Sequence, residues 1–256
     1  MDIRSCCLLF LGCSVAFAAE MTIPIPAVTV PLPVEGQSVV VTTGGTIAKI
    51  AGRDDEYLVN LQVDLADFQR NLTAVLAPQL NRSDACGERI ELKDAVIAPL
   101  APSGIMTVNL HYERWACVKA LGKKIEKRLV GGNGMVQVKF TPALPAAQEG
   151  APNSVRLSAE VGTIEADGSL GELLHSGSLG QTLREKITKS MQSAIDKSTN
   201  WNATIPPALQ SILTLRSVAF QDAGSGRLLL AVEGEVRIPM EQMGTLMGQL
   251  KQRRLR

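Results

Sequence analysis

Alternation between apolar and polar residues predicts a series of β-strands along the chain. In each segment, wholly or in part, apolar residues recur at every second position, which places them on one face of a strand. The segments lie at residues 57–65, 106–112, 155–161 and 227–238. Turn-forming residues at Pro102-Ser103-Gly104 and at residues 222–226 predict antiparallel hairpins between neighbouring strands.

The N-terminal region is predicted to be extended. Prolines at positions 24, 26, 31 and 33 stand among Ile, Val and Leu, which blocks a helix and favours an edge strand or an arm laid on the body. Gly44-Gly45 divides a β-branched run from the apolar residues 46–50 and predicts a hairpin turn. Residues 131–134, Gly-Gly-Asn-Gly, predict another turn.

Three segments change to a helical period. Leu65, Phe68 and Leu72 begin an apolar helical face, with Asp64 as the expected N-cap. The longest helix is predicted over residues 170–198, and its apolar stripe consists of Leu179, Leu183, Ile187, Met191 and Ile195. A C-terminal helix is predicted with an apolar face of Met240, Met243, Leu246, Met247 and Leu250. The elements together indicate an α+β fold.

The first residues have the three parts of a secretory signal peptide. Arg4 provides the positive region, residues 6–15 are apolar, and Ala16-Phe17-Ala18 is a small-x-small cleavage site. Leu11-Gly12-Cys13 matches a lipoprotein signal poorly, so lipid anchoring is the minor alternative. We therefore predict a cleaved signal at 1–18, a proline-rich extended arm and hairpin at 19–54, and a single α+β domain at 55–256 in the periplasm or outside the cell.

The cysteines predict one disulfide bond. The chain has five cysteines, and removal of the signal peptide would leave Cys86 and Cys117. These two residues flank the predicted hairpin that turns at Pro102, which brings them together, and an exported chain is oxidised. The alternative, a reactive thiol or redox pair, is disfavoured because there is no C-x-x-C spacing and no adjacent histidine.

Composition narrows the classes of function. Lys and Arg number 26 against 25 Asp and Glu, so the net charge of +1 provides no broad basic surface for nucleic acid. Hydrophobic residues make up 45% of the chain and aromatic residues 4%. An interior of aliphatic side chains suits either a packed core or a tube that holds acyl chains.

The element order and the closing hairpin resemble a known family. Residues 215–222 and 228–236 form that hairpin, after meandering strands and a long helix. Over most of residues 55–238 this succession resembles bacterial members of the tubular lipid-binding superfamily, which includes the bactericidal permeability-increasing proteins. The resemblance implies a long curved antiparallel sheet wrapped around one long amphipathic helix, with a shorter helix and a C-terminal helix. It also implies non-enzymatic binding, with transport as an extension, of a lipid or other hydrophobic ligand, whose channel the stripe at 179–195 would line.

The candidate chemical groups do not indicate an enzyme. His111 and Glu113 share a strand face and are interpreted as a surface pair, since no third metal ligand is near in the sequence. His175 and Ser176 are adjacent but lack the other parts of a catalytic triad. We expect no metal and no cofactor.

The C-terminus provides the alternative function. Met240, Met243 and Met247, followed by Arg253 and Arg254, suit contact with a membrane surface or an envelope protein. In that hypothesis the protein is an envelope structural or assembly adaptor with a packed core. The same helix also fits simple packing against the domain, with its cationic end complementing the helix dipole.

Overall fold

The computed structural model describes residues 22–34, 36–120, 123–144, 155–176 and 212–239, together with single positions between 181 and 209 and between 241 and 248. The strands of this part are β1 (Thr22–Val34), β2 (Gln37–Lys49), β3 (Glu56–Asp64), β4 (Arg82–Ser83), β5 (Glu88–Leu100), β6 (Ser103–Ala120), β7 (Lys123–Ala143), β8 (Arg156–Ala166), β9 (Leu213–Asp222) and β10 (Leu228–Arg237). The helices are α1 (Ala66–Leu80) and α2 (Gly168–Leu174).

The ten strands form two antiparallel sheets. The first has the order β1-β2-β3-β10-β9, and the second has the order β4-β5-β6-β7-β8. The second sheet is a simple meander. The first is completed by the last hairpin, which returns to pair β10 with β3 in the register Val63 to Leu230.

One aliphatic core contacts both sheets. Its fully buried members include Val59, Leu61, Val63, Leu230 and Val232 from the first sheet and Val108, Val136 and Val138 from the second. A backbone hydrogen bond of 2.8 Å from Phe220 N–H to the Pro102 carbonyl also links edge strand β9 to the β5–β6 turn. The apolar face of each sheet is thus buried with help from the other sheet.

Helix α1 starts at the predicted change of period, but its N-cap is Leu65 and not the expected Asp64. The two-residue period of β3 ends at Asp64, whose carboxylate accepts the Ala66 N–H at 2.9 Å and so satisfies a free donor of the first turn. Leu72, Val75 and Leu76 recur at helical spacing and are buried. Pro78 does not end the helix, which continues to Leu80.

The polar side chains of α1 cover open sheet edges. Gln69 donates to the Ile97 carbonyl at 2.9 Å and to the Gly226 carbonyl at 3.0 Å, and its oxygen accepts the Leu228 N–H at 2.8 Å. One side chain therefore joins β5 of the second sheet to the β9–β10 hairpin of the first.

Side chains of α1 and of its C-cap accept hydrogen bonds from backbone N–H groups of strand β5 near the β5 bulge. The pairing of β5 with β6 shifts between Leu92 and Asp94. The Thr73 hydroxyl accepts the Ala95 N–H at 2.9 Å, and the Asn81 side chain accepts the Leu92 N–H at 2.7 Å. The β5 edge at these positions faces α1 instead of solvent, so it is closed to further strand pairing.

Strand β1 is an edge strand of the first sheet. Pro31 lies opposite Val40 and Pro33 lies opposite Ser38 in the β1–β2 register. Proline is tolerated there because it has no N–H to donate across a ladder. The extended conformation that the prolines predict is therefore used to pair with β2.

The predicted fold class is wrong. The described part is mostly β-structure in two sheets, and a long sheet wrapped around a long helix, with a C-terminal helix, is not its architecture. Helical periodicity identifies an apolar face but not the partner that buries it. Here the partner of each sheet is largely the other sheet, so no enclosed long helix is needed to bury either one.

The two predicted glycine turns are also wrong, because these glycines lie inside strands. Gly44 and Gly45 lie in β2, and a Cβ at Gly45 would overlap the Asn60 carbonyl oxygen on β3. Residues 131–134 lie in β7, where a Cβ at Gly132 would overlap the Asp167 carbonyl oxygen. Glycine at positions 45 and 132 permits close backbone approach.

Candidate interaction surface

A two-stranded ribbon extends beyond the second sheet. Strand β6 has 18 residues and β7 has 21, whereas β5 pairs with β6 only as far as Glu88 opposite Arg114. On the other side, β8 pairs with β7 only over residues 134–143. We name residues 115–120 and 123–130 the β6–β7 arm, because they continue past both neighbouring strands.

The register of the arm is continuous to its end. Trp115 lies opposite Arg128, Val118 opposite Ile125 and Lys119 opposite Lys124. A shift between Arg114 and Trp115 leaves Leu129 as the additional residue of a bulge. Bulges increase local strand twist, and this one lies where the arm begins.

The disulfide joins the base of the arm to the body. Cys86 and Cys117 are bonded, with a Cα–Cα distance of 5.4 Å and a sequence separation of 31, which confirms the predicted pairing. Beside this bond, the backbone N–H of Trp115 donates to the Gly87 carbonyl at 2.7 Å. The disulfide is compatible with an oxidising compartment such as the periplasm or the cell exterior.

A stacked arginine strengthens the same junction. The Arg89 guanidinium lies 4.3 Å from the centre of the Trp115 ring, at cation–π distance. Arg89 also donates to the Asp84 carbonyl at 3.1 Å and forms an ion pair with Glu126 at 3.5 Å. Glu126 lies on the returning strand, so Arg89 contacts both strands of the arm.

The group formed by Cys86, Cys117 and Glu126 does not constitute a metal centre. Their potential ligand atoms lie within 4.8 Å of one another. The two sulfur atoms are bonded to each other, however, and a thiolate is the form of cysteine that binds metal. The group therefore acts as a structural junction.

The Glu113 carboxylate is a shared hydrogen-bond acceptor at the start of the arm. Its carboxylate accepts the Trp115 indole N–H at 2.8 Å and an Arg128 N–H at 3.0 Å. Hydrogen bonds from the Trp115 indole and then from Arg128 hold the pKa of the Glu113 carboxyl below its ordinary value. His111 Nε2 lies 3.5 Å from the same carboxylate, in the surface pair expected from the sequence.

The network continues from His111 to helix α2. His111 Nδ1 and Asn133 Oδ1 are 2.9 Å apart. Asp167 accepts the Asn133 backbone N–H at 2.6 Å and its side-chain N–H at 3.1 Å, and these hydrogen bonds lower the pKa of Asp167. Ser169 exchanges hydrogen bonds of 3.0 Å with both backbone groups of Gly131. The start of α2 therefore covers the β7 edge up to the arm.

The contacts of His111 and Ser176 are hydrogen bonds and an ion pair with neighbouring segments. Among the described residues, His111 forms its polar contacts with an amide and a carboxylate, and no hydroxyl or thiol nucleophile is paired with it. His175 is exposed at the end of α2, and the adjacent Ser176 hydroxyl donates to the Leu173 carbonyl at 2.6 Å. The predicted absence of catalytic roles for the histidines stays a prediction.

The arm exposes large aliphatic side chains. Val118 is 59% exposed, Ile125 is 53% exposed and Leu129 is 54% exposed. The sequence between residues 119 and 128 is strongly basic, with one acid, Glu126, against Lys119, Lys123, Lys124, Lys127 and Arg128. Aliphatic exposure and positive charge thus occur together on one projecting element.

All ten of the sequence-predicted contact residues lie outside the described residues. They are Leu179, Leu183, Ile187, Met191 and Ile195 of the ligand stripe, and Met240, Met243, Met247, Arg253 and Arg254 of the C-terminus. Among the described residues, the structure brings together the predicted cysteine pair and the His111–Glu113 surface pair. The arm was missed, although the basic run at residues 119–128, which lies on the ends of its two strands, was a signal that could have identified it.

In the part of the chain that the structure describes, no helix has both the length and the apolar character needed to cross a membrane. No known family model matches the chain, and no curated protein matches it.

Proposed function

We propose that this protein is a non-enzymatic binding protein of the cell envelope and that the β6–β7 arm is its binding element. The observation that carries the proposal is the projecting arm with its exposed aliphatic side chains, Val118, Ile125 and Leu129. Elsewhere, α1 and α2 cover strand edges of the body with hydrogen bonds.

The contacts that hold the arm in a fixed position support a role in binding. An isolated two-stranded ribbon is only marginally stable in water. This arm is fixed at its base by a disulfide, by the Arg89–Trp115 stack and by the Glu113 hydrogen bonds. Such bracing holds the exposed residues in a defined position, which reduces the entropy lost when a ligand binds.

The hydrophobic ligand expected from the sequence is reassigned from the interior to the surface. An enclosed acyl-chain channel depended on a sheet wrapped around a long helix, and that architecture is not found. The described core is instead filled by contacting aliphatic side chains from both sheets. A lipid or an envelope protein on the arm therefore fits better than a lipid inside the body.

Export is the second part of the proposal. The signal-like residues 1–18 and the disulfide both favour passage into an oxidising compartment. The mass of the protein recovered from the envelope tests this part, and a chain that begins at Ala19 is the expected result. Recovery of the uncleaved chain from the reducing cytosol would contradict it.

Site-specific crosslinking in intact cells tests the binding element. A photo-reactive amino acid at Val118 should yield one dominant adduct, to a lipid or to an envelope protein. The matched control carries the same group at Val96, which is 56% exposed on β5 and lies outside the arm. Equal labelling from both positions, or no adduct from Val118, would overturn the proposal.

A further inference from the structure

We infer that the occupant of the β6–β7 arm is an anionic lipid surface, an inference that depends on the proposed function of the arm as the binding element. Three properties of the arm support it: its local charge, the types of residue it exposes, and its reach beyond the body.

The positive charge is concentrated on the arm. Lys and Arg exceed Asp and Glu by only one over the whole chain, whereas residues 119–128 contain five basic residues and one acidic residue. That acid, Glu126, forms an ion pair with Arg89 of the body. The rest of the chain therefore carries a small net negative charge, and attraction to an anionic surface would turn the arm toward it.

The residue types favour lipid over a protein partner. Four of the five basic residues of the run are lysines, and lysine is depleted at protein–protein interfaces, where arginine and aromatic residues are enriched. The exposed apolar residues of the arm are Val118, Ile125 and Leu129, which are all aliphatic. Aliphatic side chains next to lysines suit the boundary between acyl chains and charged headgroups.

The described register places such a combination on one face. Val118 lies opposite Ile125, and Ala116 lies opposite Lys127. Positions two apart on a strand share a face, so the exposed Lys127 side chain lies next to Ile125. The aliphatic pair is thus nearer the free end of the arm, and Lys127 is nearer the body. In this orientation the pair can enter the acyl boundary while Lys127 remains at headgroup level.

The arm is long enough for the body to remain outside the lipid. Beyond the disulfide at Cys117, residues 118–120 extend for about 10 Å at the rise of a β-strand, which matches the depth to which an interfacial element enters the boundary between headgroups and acyl chains. A lipid surface therefore requires no rearrangement of the core and no crossing of the bilayer.

Vesicle binding tests the inference. The purified protein is titrated with vesicles of phosphatidylcholine and phosphatidylglycerol in equal parts, and separately with phosphatidylcholine alone. We expect binding to the mixed vesicles that weakens as salt is raised, and little binding to phosphatidylcholine alone. The double variant Lys123→Glu/Lys127→Glu should bind at least about ten-fold more weakly, because each lysine near the surface contributes to the attraction.

Control variants separate the effects of charge, of apolar contact and of misfolding on vesicle binding. Lys139→Glu changes an exposed lysine on β7 outside the arm and should bind at least about ten-fold more tightly than the double variant. Val118→Ser/Ile125→Ser should weaken binding, whereas Val96→Ser on β5 should not. Circular dichroism and thermal unfolding establish that each variant retains the fold.

The outcomes distinguish the inference from the function on which it depends. Failure of the wild-type protein to bind mixed vesicles, or equal binding by the arm and control variants, overturns the lipid assignment. If the Val118 crosslink then captures an envelope protein, the arm remains the binding element and only the lipid assignment fails. If Val118 gives no adduct at all, the proposed function fails as well.

Discussion

The Gln69 side-chain oxygen accepts the Leu228 backbone N–H at 2.8 Å, which joins helix α1 to the first residue of β10. The two residues are separated by 159 positions in the sequence. The Gln69 amide nitrogen donates to Ile97 on the other sheet at the same time. A single amide thus connects three segments that are remote in the chain.

Replacement of Gln69 by alanine should lower the free energy of unfolding by about 2–3 kcal/mol, because partly buried backbone groups at Ile97 and Leu228 would lose their partners. Urea unfolding followed by circular dichroism measures the change. Gln62→Ala makes the same chemical change at an exposed position of β3 and should cost less than about 0.5 kcal/mol. Equal effects of the two substitutions would contradict a linking role for Gln69.

The disulfide should stabilise the protein measurably. The double variant Cys86→Ser/Cys117→Ser should lose about 3–4 kcal/mol, as expected when a covalent constraint over this length of chain is removed from the unfolded state. The oxidised wild type and the variant can be compared by urea unfolding, with reduced wild type as the control for the serine substitutions. A loss below about 1 kcal/mol would mean that the bond constrains the arm without stabilising the fold.

Gly45 should not tolerate a side chain. Gly45→Ala should destabilise the protein by about 2–3 kcal/mol, because the new Cβ would meet the Asn60 carbonyl of the paired strand and force the backbones apart. Gly162→Ala is the matched control in β8, where the nearest atom, the Gln137 carbonyl oxygen, lies at an ordinary contact distance of 3.6 Å. Thermal unfolding should separate the two variants, and similar melting temperatures would disprove the close approach.

Asp167 should contribute to the pH dependence of stability. Its folded-state pKa is lowered, first by the Asn133 backbone hydrogen bond, from an ordinary value of 3.8. The stabilisation is therefore fully present above that value and is lost as the pH falls through the lower, folded-state pKa. Unfolding measured from about pH 6 to about pH 3 should show a smaller loss for Asp167→Asn than for wild type.

A general loss of stability would not produce that change of slope. Gln62→Ala should retain the wild-type pH profile because it alters no titrating group. An unchanged slope in Asp167→Asn would show that other carboxyl groups, such as Glu113, account for the acid sensitivity.

Local patterns predicted the local parts of the fold. The change of period at Asp64 located the β3–α1 boundary, and the final hairpin appears as β9 and β10. The Cys86–Cys117 bond was predictable because a hairpin brings its own ends together. Each of these features depends on residues that are close in sequence or joined by one turn.

Long-range pairing could not be predicted from the same patterns. The alternation in β3 does not indicate that β10 pairs with it after more than 160 intervening residues. Gly45 and Gly132 carry the composition of a turn, but close contacts across or beside a strand require the same residue type. The arm was missed because a bulge at Leu129 and the pair Leu121-Gly122 interrupt its apolar–polar alternation.

The prolines of β1 have a consequence for assembly. In the β1–β2 register, Pro31 and Pro33 lie at alternate positions, at which a strand directs its N–H groups away from its partner. A further strand would therefore find carbonyl acceptors there but no donors. Addition of a strand from another molecule is therefore disfavoured by the backbone itself at this part of the β1 edge.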